Sequence, residues 1–298
     1  MFLGERIEKA ESFRLTVHSS DLARVENCFV GPGRPPPAGY EPGYQIVLPY
    51  HGLFSYFTGS RGWMIDSTRT LCISPGWDFY EEKPIPSIGH AALLVNPTIE
   101  LVDEVCGSRT SETNPAFLQA SLPCSRQLKL LTHMLLRHPP GHDEPLRKDE
   151  WVVSALRQLQ PPRASRTRAS NVVDRAKQVL HAHSSDRLSL HQMATLVGVS
   201  PAYLTQEFTR SEGLPLYKYQ LHLRLNRALL DLPHCDSITE LALDLGFSSH
   251  SHFTAVFRKM FGMTPSQYRA GTPARTRPSA SLWQQPAHGG GGENWHAL

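Results

Sequence analysis

Near its C-terminal end the chain reads ELALDLGFSSHSHFTAVFRKMFG, Glu240 to Gly262. Two histidines one residue apart, His250 and His252, have the side-chain chemistry of metal ligands, and the serines beside them that of nucleophiles. The spacing argues against both. Leu241, Ala242 and Leu245 recur at helical intervals, Gly246 follows as a helix-ending residue, and Phe253, Val256, Phe257 and Met260 make a second apolar stripe. On the second helix, positions i and i+2 point about 200° apart, whereas paired helical ligands sit at i and i+4. A seryl nucleophile would need a strained strand-to-helix elbow flanked by glycines, which these residues do not provide. Small polar side chains at the start of a second, tightly turned helix suit a different chemistry: hydrogen bonding to base edges in a DNA major groove.

The pattern occurs twice. LHQMATLVGVSPAYLTQEFTRSEG, Leu190 to Gly213, sets Ala194 against Ala242, Gly198 against Gly246, Val199 against Phe247 and Ser200 against Ser248. One residue is then gained, so that Leu204 matches Phe253 and Phe208 matches Phe257. Two helices crossing steeply through a short turn need a small side chain at closest approach and a turn residue tolerant of unusual φ. Pro201 suits the first position of its helix, after a Ser200 cap. Between the copies, Tyr217, Leu221, Leu225, Ala228 and Leu229 predict one helix over 216–232, roughly 26 Å long at 1.5 Å per residue. A rod of that length would hold two reading helices about one DNA turn apart, near 34 Å.

The segments MATLVGVSPAYLTQEF, GLPLYKYQLHLRLNRALLDL and ITELALDLGFSSHSHFTAVFRKMFGMTPSQYR make residues 171–270 resemble the DNA-binding domain of the AraC/XylS regulators. The resemblance implies seven helices, two helix-turn-helix units and binding to double-stranded promoter DNA. By position, the first reading helix would present Ala202, Tyr203, Thr205, Gln206 and Thr209. The second would present Ser249, His250, Ser251, His252 and Ala255. Arg258 and Lys259, late in the second unit, suit phosphate contact. Members often carry arginine where this chain has Gln206 and Ala255. Arginine pairs with guanine and glutamine with adenine, so an adenine contact is expected at Gln206 and weak readout at Ala255.

Charge agrees with this placement. Residues 1–160 hold 15 Lys/Arg against 18 Asp/Glu, a net of −3, and residues 161–298 hold 15 against 9, a net of +6. A basic C-terminal half suits a polyanion. Five cysteines without a Cys-x-x-Cys pair suggest reduced thiols and a cytoplasmic bacterial protein, associated with the nucleoid when bound. No basic-then-apolar leader and no 18-residue apolar run is present, so neither secretion nor a membrane partner is expected.

The elements that must carry this domain read differently. GYQIVLPYHGLFSYFTG, RTLCISPGWDFY and HAALLVNP mix β-branched and aromatic residues between Gly and Pro, predicting an all-β sandwich or barrel. The Pro- and Gly-rich Gly31 to Gly43 reads as a loop or arm. The fold class expected is α+β. A cupin-like sensing or dimerising β-barrel spans 1–115, and a helical connector 116–160 carries possible dimer helices. A Pro- and Arg-rich linker (161–170), the all-α DNA-binding domain with its two helix-turn-helix motifs (171–270) and a disordered tail (271–298) follow. The barrel's cupin-like character, a small-molecule effector, a homodimer, contact with RNA polymerase and activation as the commoner mode are what the resemblance implies.

Tyr44, Tyr56, Trp63 and Trp77 could line an effector pocket, or serve as ordinary core. The alternative function is a cupin-type metalloenzyme with a helical appendage. It could draw only on His51, His90, Asp66 and Asp78, with no His-x-His pair, against the two histidines and one carboxylate of non-haem iron sites. No cofactor and no catalytic residue is therefore expected.

Overall fold

The computed structural model describes residues 12–106, 121–137, 145–159, 171–183, 186 and 188–270. The linker 161–170 and the tail 271–298 lie outside them. Among the described residues there are ten strands: β1 (Phe13–Ser19), β2 (Ala23–Val30), β3 (Ala38–Glu41), β4 (Gln45–His51), β5 (Leu53–Thr58), β6 (Arg61–Asp66), β7 (Arg69–Ile73), β8 (Trp77–Glu82), β9 (His90–Pro97) and β10 (Ser121–Pro123). They form a six-stranded sheet, ordered β1-β2-β9-β4-β7-β10, and a four-stranded sheet, ordered β3-β8-β5-β6. The strand pairings leave these as two sheets and do not close them into one ring.

Strand alternation distributes the core. From β4, Ile46 and Leu48 join one apolar cluster while Val47 joins another; from β7, Cys72 points one way and Leu71 and Ile73 the other. The six-stranded sheet is therefore covered on both faces, which is why its central strands read as continuous apolar runs. One face meets the four-stranded sheet through Phe54, Tyr56 and Ile65. The other meets helices α1 (Ile99–Cys106), α2 (Arg126–Arg137) and α3 (Pro145–Gln158) through Val102, Leu128, Leu135, Val152 and Leu156. The apolar stripes of the connector thus close the sheet's open face.

Two expectations need correction. The Gly31 to Gly43 segment contains β3, which pairs antiparallel with β8 from Ala38↔Tyr80 to Glu41↔Trp77. It is an edge strand entered from Pro35–Pro37, and the prolines that argued for a loop occupy its approach. The connector is not helical throughout either. Ser121–Pro123 pairs with Thr70 and its neighbours as β10, a three-residue edge too short to announce itself. Residues 116–120, 138–144 and 160 of the connector lie outside the described residues.

Among the described residues seven helices follow: α4 (Asn171–Ala182), α5 (Leu190–Val197), α6 (Pro201–Glu212), α7 (Leu216–Asp231), α8 (Ile238–Asp244), α9 (His250–Phe261) and α10 (Pro265–Ala270). They make two cores. Val173, Leu180, Met193, Ala194, Leu204, Phe208 and Tyr219 form the first. Leu225, Leu229, Leu241, Ala242, Phe253, Phe257, Phe261 and Tyr268 form the second. Helix α7 contributes to both, through its first and second halves. The predicted stripe holds at Leu221, Leu225, Ala228 and Leu229 and fails only at its first position: Tyr217 is 65 % exposed, and Tyr219, on the opposite side, is buried.

Candidate nucleic-acid interface

Each helix-turn-helix unit is built by the same local chemistry. In the first unit, Ser189 and Gln192 form a reciprocal capping box that starts α5. The chain turns at Gly198, φ 76°, a left-handed conformation that costs glycine little, and Val199 N–H donates to the Ala194 carbonyl at 3.0 Å. Ser200 then caps α6, accepting from Tyr203 N–H, with Pro201 at the first position. In the second unit Ser237 caps α8, Gly246 turns at φ 80°, and Phe247 N–H donates to the Ala242 carbonyl at 3.0 Å. The Ala194/Ala242 and Val199/Phe247 matches thus correspond to one and the same hydrogen bond.

The gained residue falls one place earlier than the sequence match put it. Ser249, not Ser248, is the cap of α9, accepting from His252 N–H at 3.1 Å. Ser200 is therefore equivalent to Ser249, and Ser248 is the insertion. With caps superposed, Gln206 corresponds to Ala255, Thr209 to Arg258 and Arg210 to Lys259.

The core-facing positions of both helices are filled by aromatic and aliphatic side chains, so the remaining faces are presented to solvent. Ala202, Tyr203, Gln206 and Thr209 are exposed on α6 and Thr205 is half-buried, its hydroxyl donating to the Pro201 carbonyl at 2.9 Å. Ser249, Ser251, His252, Ala255, Arg258 and Lys259 are exposed at α9, and His250 is half-buried. The two histidines go separate ways. His252 Nδ1 lies 3.1 Å from Ser248 Oγ, and His250 Nε2 lies 3.2 Å from Thr254 Oγ1. A shallow groove of about 720 Å³ runs along the first face, lined by Leu190, Pro201, Ala202, Thr205, Gln206 and Arg210.

Sequence reasoning missed Arg224. From α7 its Nη1 donates to the Gly246 carbonyl at 3.0 Å and its Nη2 to the Asp186 carbonyl at 3.2 Å, tying the second unit's turn to the loop that leads into the first. A β-carbon on Gly246 would lie 2.9 Å from the guanidinium. Nothing in the sequence marks it out, because the same helix also carries Lys218, His222 and Arg227.

The other candidates separate. Tyr44 joins the helix-side core, whereas Tyr56, Trp63 and Trp77 belong to the core between the sheets. Three of the four residues of the metalloenzyme alternative, His90, Asp78 and Asp66, turn to other partners or to solvent. His90 Nε2 lies 3.1 Å from Glu81 Oε2, Asp78 is exposed on β8, and Asp66 turns toward the helical domain. Among the described residues no group of three or more His, Cys, Asp or Glu side chains could hold a metal ion. No helix there is long and apolar enough to cross a membrane. The five cysteines are all unpaired with one another.

The fold and face define a double helix-turn-helix protein. A helix-turn-helix domain family model matches residues 193–271. An uncharacterized HTH-type transcriptional regulator of Staphylococcus aureus strain COL is 36% identical over 112 residues, 36% of this chain and 15% of that protein. The regulatory protein PocR of Salmonella typhimurium is 36% identical over 96 residues, 32% of this chain and 32% of that one. A crystal structure of a transcriptional regulator with an AraC-type DNA-binding domain, from Chromobacterium violaceum, is 35% identical. The match covers 36% of this chain and 95% of that one, with a TM-score of 0.33. The chain thus spans about 15% of the length of the first curated relatives it matches. Residues 193–271 are thus a helix-turn-helix domain of the kind that these transcriptional regulators carry.

Proposed function

We propose that the protein is a sequence-specific regulator that lays α6 and α9 into successive major grooves of promoter DNA. The observation that carries this is the duplicated cap–turn–cap architecture, which ends in two exposed, small-polar helix faces on one rigid α7. Gln206, Tyr203, Ala202 and Thr209 would read the first groove. His252, Ser251, Ser249 and His250 would read the second, Thr205 would support α6, and Ala255 would leave a weakly read position. Arg258 and Lys259 would hold phosphates. The N-terminal sheets form the cupin-like responding domain of the same reading. A small effector would be met by Tyr56, Trp63 and Trp77, with Tyr44 behind the sheet. The buried Tyr56 hydroxyl, which makes no hydrogen bond to the protein, supports this as a polar handle. Dimerisation, contact with RNA polymerase, activation and a cytoplasmic, nucleoid-bound location complete it.

The test is fluorescence anisotropy with a duplex from the gene's own upstream region and a scrambled duplex, across a salt series. A preference of about 10³-fold or more over a shared salt-dependent background is expected. Equal affinity for both duplexes and for every site returned by selection would end the sequence-specific reading. Within the selected site, Gln206 is expected to face adenine. Gln206→Arg should shift that position to guanine by about 5- to 150-fold, the worth of one bidentate pair. A guanine already opposite the unaltered Gln206 would refute the assignment.

A further inference from the structure

The two halves of the chain meet through a polar knot centred on Asp66, at the end of β6. This carboxylate is completely buried. Its Oδ1 accepts from Thr68 N–H at 2.8 Å and from the Thr68 hydroxyl at 2.6 Å. Its Oδ2 lies 3.1 Å from His181 Nε2 of α4 and accepts the hydroxyl proton of Tyr219 of α7. One residue on, the Ser67 carbonyl accepts from Asn226 Nδ2 of α7 at 3.0 Å. Arg69 Nη1 lies 3.7 Å from Glu212 Oε2 at the end of α6, and Lys177 Nζ of α4 binds the other oxygen of Glu212 at 2.8 Å.

Burial by itself would raise the Asp66 carboxyl. The hydrogen bond and charge of His181, the charge of Lys177 and the Thr68 bond outweigh it and hold the group well below the usual carboxylate range. Tyr219, raised first by burial and then by the Asp66 charge, stays a phenol that can donate. The adjoining cavity, lined by His51, Ser67, His181, Asn226 and Arg227, is only about 80 Å³, well below the size of a metabolite pocket.

An apolar seam would hold the halves together at least as well, because buried charges surrender hydration on docking. What a buried polar knot adds is a single defined posture. This one grips the first reading helix at two places. The Tyr219 ring stands edge-on to Phe208 of α6, with centroids 5.1 Å apart, and Glu212 closes the same helix. Helix α9 packs in a separate core that the knot does not enter, and Leu130 of α2 packs against that core from the N-terminal half.

We infer that Asp66 is a clasp by which the N-terminal domain positions and stabilises the first helix-turn-helix unit, the second being met by a separate apolar contact through Leu130 that the clasp does not include. The inference rests on the proposed function for its meaning, yet its test needs no DNA. Hydrogen–deuterium exchange would be followed in the full chain, in Asp66→Asn and in Tyr219→Phe, comparing residues 201–212 with 250–261. Exchange of α6 is expected to rise about tenfold or more in both variants, as for loss of a hydrogen bond to a charged group, with α9 unchanged. The double variant should exceed Asp66→Asn alone by little, since both changes open one contact. Tyr219→Phe removes only a hydroxyl and decides the matter if Asp66→Asn does not fold. No change in α6, or an equal rise in both helices, would overturn the clasp. Absence of DNA binding would count against the proposed function and leave this result standing.

Discussion

Truncating Phe257 to alanine should remove about 3–5 kcal/mol of stability and abolish binding through the second reading helix. Phe257 is completely buried and sits mid-way in an aromatic ladder. Its ring lies 5.6 Å from Phe253, 4.7 Å from Phe261 and 5.8 Å from Tyr268, each edge-on. Phe253 and Phe257 hold α9 onto Leu241, Ala242 and Leu225 of the second core. With Phe257 truncated, the neighbours that could fill the space are themselves buried rings, so the site collapses little and the cavity cost is high. Against a typical total of about 5–15 kcal/mol, such a loss leaves the unit marginal. Urea denaturation would measure it. Phe257→Leu, which keeps most of the volume, should lose less than half as much. A loss under about 1 kcal/mol for the alanine variant would mean that the ladder does not position α9.

How much of this was legible depends on how local the determinants are. Caps, αL turn residues and apolar spacing lie within a few residues of one another, so both helix-turn-helix units and their repeat could be read directly. Even there, Ser248 and Ser249 are chemically identical, and only the backbone turn decides which becomes the cap. Tyr217 and Tyr219 are equally apolar candidates, and a buried carboxylate from the other half of the chain selects Tyr219. That partner is 153 residues away. The short edge strands β3 and β10 exist because β8 and β7 offer unpaired backbone groups, which no feature of Ala38–Glu41 or Ser121–Pro123 can express. The strong strands were legible because burial on both faces makes them apolar throughout. The faces they share had to come from the pairing.

Acid should unfold the protein in two stages, the first of them set by histidines. His51 is lowered to about 4, by burial first and then by the positive surroundings of His181, Arg227 and His90. His222 is also lowered to about 4, by burial and then by Lys129 and Lys218. In the unfolded chain both would titrate near 6.5. Between about pH 6.5 and 4 the unfolded state therefore binds protons that the native state refuses, and stability falls with pH. Above about pH 7 this destabilisation is absent, and below about 4 it is complete. At about 1.4 kcal/mol per unit of pKa difference, each histidine removes on the order of 1–3 kcal/mol, the lower figure suiting the half-buried His222. Glu41 and Asp174, raised by burial, act in the opposite sense, but only as the pH approaches the ordinary carboxylate range. Asp66 contributes to the second stage. Its depressed carboxyl gives stability that is fully present above about pH 4, the unfolded value, and is lost only below it. Urea midpoints should therefore stay level from pH 8 to 7 and decline steadily to 4.5, with a shallower decline in His51→Gln and in His222→Gln. A midpoint flat down to pH 4.5 would show that both imidazoles take up protons without opening the fold. The enclosure of His51 at the seam between the domains would then be looser than its surroundings indicate.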